Sequence, residues 1–158
     1  MFNINKLMIN LIQKIEPVII PIIENHNAFL IDIVFRGERG SKILEIFIDN
    51  VDGVTSGLCS EIIRDIAKAL DAEDLIQGKY VLNVSSPGLN RPLKILKQYY
   101  KHIGHTLEIK TQTGNEFKII LGQLIKVKEN LITLKNNTEE ILSFEFKDIV
   151  EARIKTPW

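Results

Sequence analysis

The sequence predicts an α+β protein of two domains, and three observations carry that reading. Up to Val84, apolar residues recur first at helical and then at strand spacing, in the order α-β-β-α-β. Past Ile103 the pattern changes to five short strands separated by turn residues, which suits a small closed barrel. Between them lies Asn83 to Leu93, NVSSPGLNRPL, where two prolines, a glycine and an arginine crowd a short connector. The change of period and charge near Asn90 divides the chain into domains 1–90 and 91–158.

The first helix follows from Ile4, Leu7, Met8, Leu11, Ile12, Ile15, Ile19, Ile22 and Ile23, spaced by three and four. Pro17 lacks an N–H, so the helix is expected to kink or divide near Ile15. Phe29 to Phe35 and Ile43 to Ile48 are rich in β-branched and aromatic residues and flank GERGSK, which predicts a hairpin. Asp49 to Val54 is a loop. Thr55 or Ser56 caps a second helix, which buries Leu58 or Cys59, Ile62, Ile63, Ile66, Ala67 and Leu70. Tyr80 to Val84 is a third strand, so two helices are expected to pack on one face of a three-stranded sheet.

After the connector, Lys94 to Ile103 reads as one short helical stretch. The barrel strands are Thr106 to Thr111, Phe117 to Val127, Leu131 to Leu134, Ile141 to Phe144 and Val150 to Ile154. Thr113-Gly114-Asn115, Glu129-Asn130 and Asn136-Asn137 supply turns.

Composition narrows the function classes. Hydrophobic residues make up 45% and charged residues 25%, ordinary for a folded chain. The net charge of zero conceals an uneven distribution. Residues 1–74 hold seven basic against twelve acidic residues, whereas 75–107 hold five basic and no acidic ones. Polyanion contact is therefore expected to be local. A single cysteine, Cys59, excludes an intramolecular disulfide and fits a reducing compartment. The apolar N-terminus is broken by Asn5, Lys6, Asn10, Gln13, Lys14, Glu16 and two prolines, unlike a membrane span or a signal peptide. A cytoplasmic location is the expectation.

Several motifs invite chemistry and fall short of it. Gly37-Glu38-Arg39-Gly40 matches the GXXG loop of KH domains, but that loop joins helices and this one joins strands. His102 and His105 stand three apart with no third ligand nearby, so no metal is assigned. Cys59 lies on the apolar face of a helix as a structural thiol. Asp49 and Asp52 read as solvated loop carboxylates. Ser85-Ser86-Pro87-Gly88 lacks a nucleophile elbow and an adjacent histidine, while Pro-Gly is the central pair of a type II turn. No catalytic residue and no cofactor are assigned.

The basic run remains. On a helix Lys94, Lys97 and Lys101 would share one face, with Arg91 leading into it. Of Tyr99 and Tyr100, one ring is available for base stacking while the other packs inward. The absence of acids sets this run apart from a mixed solvated face, and phosphate is the ligand it suits.

The chain resembles the bacterial ribosome maturation factor RimP family over essentially its full length. Val84 to Leu93, VSSPGLNRPL, is similar to the family signature V-S-S-P-G-L-D-R-P-L. Ile48-Asp49 through Gly53-Val54-Thr55 to Cys59, Leu70-Asp71, Tyr80, Ile103-Gly104 and Asp148-Ile149 to Ala152-Arg153 also fit. Asn83 and Asn90 stand where the family shows Glu and Asp, and Ser56-Gly57-Leu58 where it shows Leu-Asp-Asp. The resemblance implies an α/β N-terminal domain, an SH3-like (Sm-like) small barrel, and a non-enzymatic role in maturation of the small (30S) ribosomal subunit. It also implies contacts with 16S rRNA and a ribosomal protein near the decoding region. On that basis Ser85, Ser86, Asn90, Arg91, Lys94, Lys97 and Lys101 are the candidate rRNA contacts. Lys126 and Lys128 are the candidate ribosomal-protein contacts, and a monomer without membrane contact is expected. A general single-stranded RNA-binding module is the competing reading, and a hydrolase built on Ser85 or Ser86 a distant third.

Overall fold

The computed structural model describes residues 4–38, 41–88 and 91–155. The chain forms two compact units, Met1–Pro87 and Gly88–Trp158.

In the first unit α1 (Ile4–Asn25) precedes β1 (Phe29–Glu38), β2 (Ser41–Asp49), α2 (Ser56–Glu73) and β3 (Tyr80–Ser85). Of the kink or division expected near Ile15, division does not occur: the helix α1 runs unbroken through Pro17 and Pro21. Ile15, Ile19 and Ile23 are fully buried and hold the helical path. Both prolines lie on the exposed side, so the carbonyls they leave without an N–H partner face water. Thr55 caps α2, its Oγ1 accepting from the Leu58 amide at 3.1 Å. Ile62, Ile66 and Leu70 form its buried stripe, and Asp74, in a left-handed conformation, ends it.

The strands lie in the order β1-β2-β3. β1 and β2 form an antiparallel hairpin with Glu38 opposite Ser41, so Gly37 and Glu38 of the GXXG sequence lie in β1, while Arg39 and Gly40 lie outside the described residues. β2 and β3 are parallel, with α2 as the crossover that a parallel pair needs. Ile33, Leu44, Ile46, Ile48 and Val84 pack with the helices into one core. The α-β-β-α-β expectation for this unit matches the observed element order. Asp49, expected to be solvated, is only 2% exposed. Its Oδ1 accepts from the Asn50 amide at 2.9 Å, and Asn50 Oδ1 accepts from Gly53 N, so the pair builds the loop from within.

The second unit opens with two 3-10 turns, Leu96–Gln98 and Tyr100–His102. It continues as β4 (Thr106–Thr113), β5 (Glu116–Lys128), β6 (Leu131–Lys135), β7 (Ile141–Glu145) and β8 (Ile149–Lys155). All pairings are antiparallel, in the order β7-β6-β5-β4-β8. Gly114, at φ 64, opens the two-residue β4–β5 turn, where a hairpin needs a left-handed residue. Leu107, Ile109, Leu124, Ile132, Leu134 and Ala152 are fully buried and form the core with Leu93 and Tyr99. Closure by strand pairing was expected, yet β7 and β8 are the two ends of the sheet among the described residues. The long β5 divides its pairing instead: its whole length up to Gln123 pairs with β4, and only Gln123–Lys128 pair with β6. Among the described residues no helix is long and apolar enough to cross a membrane.

Candidate nucleic-acid interface

Ser85 ends β3 and is exposed, in register with Phe47 of β2. Asn83, two residues earlier, stands opposite Glu45. Because strand side chains alternate, Asn83 and Ser85 share the sheet face away from the core to which Leu82 and Val84 contribute. Asp32 pairs with Phe47 on the same face, and Glu45 forms an ion pair with Arg36. The surroundings of Ser85 are therefore mixed in charge, not cationic. Ser86 is exposed and follows the strand. Gly88 has φ 71, the sign a type II turn demands after proline. Asn90 lies outside the described residues.

The second unit holds the other candidates. Arg91 is half-buried and Lys94 exposed, while Leu93 is anchored by its amide to the Ala152 carbonyl of β8 at 2.8 Å. The expected helix over Lys94 to Ile103 is replaced by the two 3-10 turns, so the single lysine face does not form by helical spacing. Gln98 explains the difference. Its side chain is 1% exposed, and Oε1 accepts from the amides of Lys94 at 2.6 Å and Ile95 at 3.0 Å. A side chain thus takes amides at the start of the segment, and the turns close by i→i−3 bonds at Gln98, Tyr99 and His102. Lys97 sits exposed in the first turn and Lys101, half-buried, in the second.

The two tyrosines divide as their burial dictates. Tyr99 is fully buried and meets the Phe146 ring edge-on at 6.0 Å. Among the described residues its buried hydroxyl has no hydrogen-bond partner, and burial pushes its pKa well above the ordinary phenol value. Tyr100 is 45% exposed, with its ring available for stacking. Beside them His102 Nδ1 and His105 Nδ1 lie 3.1 Å apart, with ring centroids at 5.3 Å. The nitrogens point at one another, the arrangement of one imidazole donating to the next. No group of three or more His, Cys, Asp or Glu side chains suited to a metal occurs among the described residues.

Lys126 and Lys128 are both exposed on β5, on either side of buried Val127. A register shift between Leu124 and Lys126 sets them opposite Thr133 and Leu131 of β6. Cys59 is half-buried on α2, and burial raises its thiol pKa, the behaviour of a packing thiol and not of a nucleophile.

One surface feature escaped the sequence reading. Phe117, Ile119 and Leu121, placed in a barrel strand, are 55%, 69% and 45% exposed. Their alternation is plain in FKIIL, but Lys118 and Ile120 between them gave no sign of which face turns outward.

Comparison with known families adds the last observation. Residues 18–90 match the family model described as the RimP N-terminal domain. The match begins inside α1, covers the three-stranded sheet and α2, and ends within the Val84 to Leu93 signature. The match is to the first unit: residues 18–90 are similar to the RimP N-terminal domain, which supports the RimP family.

Proposed function

We propose that this protein is a non-enzymatic assembly factor for the small (30S) ribosomal subunit, acting in the cytoplasm on the immature particle. The observation that carries the reading is the family match over residues 18–90, continued by the VSSPGLNRPL signature at its end. In this reading the domains divide at Asn90 and Arg91, and the five-stranded second unit is an SH3-like (Sm-like) barrel whose strand order is β7-β6-β5-β4-β8.

Arg91, Lys94, Lys97 and Lys101 contact 16S rRNA, supported by the acid-free stretch from Leu75 to Leu107. Ser85, Ser86 and Asn90 add hydroxyl and amide contacts to the phosphate backbone. Tyr100 offers a ring for an unpaired base. Lys126 and Lys128 lie on the surface that meets a ribosomal protein of the decoding region. Binding of this kind weakens steeply with salt, because each lysine at a phosphate releases about one counterion.

The test is sedimentation of extracts carrying the tagged protein, together with small-subunit rRNA processing in a deletion strain. Cosedimentation with small-subunit precursors and delayed processing are expected. Absence from the precursors together with normal processing would sink the proposal.

A further inference from the structure

The first half of β5 has a property its second half lacks. β6 takes up pairing only at Gln123, so Glu116–Gly122 pair with β4 on one side, and among the described residues no strand pairs with them on the other, although the end of β6 comes close to Gly122. Seven residues at about 3.4 Å each make an open edge about 24 Å long. Natural edges are usually blunted by charge, proline or a bulge. This one carries two charges, Glu116 at its start and Lys118, both exposed, and its register with β4 is unbroken from Thr106 to Thr113. It also carries three exposed apolar side chains on one face, Phe117, Ile119 and Leu121. Lys110 of β4 lies over the Phe117 ring, its Nζ 4.9 Å from the centroid.

We propose that this edge pairs antiparallel with the same segment of a second copy of the chain, about a two-fold axis through Ile119. The segment is self-complementary in that register. Phe117 falls opposite Leu121, Ile119 opposite Ile119, and Lys118 opposite Ile120. No like charges face each other, and the aromatic–aliphatic and aliphatic pairs are of the kind that stabilises sheets. Glu116 meets Gly122, beyond which β6 occupies the edge and ends the pairing. Such a contact is isologous and closes on itself, giving a dimer and not a fibre. One strand per copy is well below a standard interface, so the dimer is weak and forms with rising concentration.

Sedimentation velocity on the full chain across a concentration series is the direct measurement. A sedimentation coefficient that climbs toward the dimer value, and stays at the monomer value in Ile119→Lys, is the expected result. Hydrogen exchange on the unmutated protein supplies the second reading: amides of residues 116–122 gain protection at high concentration. A monomer throughout the series, a dimer unaffected by Ile119→Lys, or a dimer without added protection in 116–122 would each overturn the proposal. A dimer that persists in Ile119→Lys would place self-association on another surface.

Discussion

Single residues set the local chemistry. Tyr99 is fully buried and its hydroxyl has no partner among the described residues, so its phenol costs desolvation without a compensating bond. Tyr99→Phe removes that group while keeping the ring against Phe146, and unfolding in denaturant should show stability unchanged or raised by about 1 kcal/mol. The pH dependence has a definite sign. Burial raises the folded-state pKa of Tyr99 above the ordinary value near 10, and burial with a hydrogen bond to Asp71 pushes Tyr80 up to about 12. A raised folded pKa means that stability is intact below the unfolded value and lost as pH climbs past it. Unfolding curves should therefore weaken above pH 10, less so in Tyr99→Phe; an identical alkaline profile in the variant would refute the assignment to Tyr99. Asn83 is explained at the same scale. It faces Glu45 across the β2–β3 pair, where a second carboxylate would repel.

At the level of elements, periodicity made most of the fold legible. Helix α2 was readable because a capping threonine precedes a clean three-and-four stripe, and the strands because β-branched runs are bounded by glycine and asparagine. Two elements depart in part from the sequence reading, α1 in not dividing and Lys94 to Ile103 in forming two 3-10 turns, for identifiable reasons. In α1 the prolines fall on the water-facing side, so buried Ile15, Ile19 and Ile23 outweigh the lost bonds. At Lys94 to Ile103 the buried Gln98 side chain captures two amides three and four residues before it, a local side-chain contact that periodicity does not encode. Gly122 marks where β5 meets the end of β6: an added Cβ would come within 2.9 Å of the Lys135 carbonyl oxygen. Gly122→Ala should destabilise by about 1–3 kcal/mol, the range for overpacking, seen as a lower denaturation midpoint. An unchanged midpoint would mean that the β5–β6 contact yields freely.

Across the whole molecule, charge separates what composition averages to zero. The acidic residues are concentrated in 1–74, and 75–107 is purely basic, so attraction to a polyanion is confined to a short segment. That confinement and the family signature were visible in the sequence. The exposure of the β5 stripe and the mixed charge around Ser85 were not, because they depend on strand register and on which face each strand turns outward.

The central claim is most directly tested by binding affinity for immature small subunits and for an unrelated single-stranded RNA, measured across a salt series for the unmutated protein and for Arg91→Ala with Lys94→Ala. The account predicts preference for the immature subunit, and in the double variant weaker binding with a salt slope shallower by about 1–2. Equal affinity for both RNAs, or an unaltered slope in the variant, would contradict it.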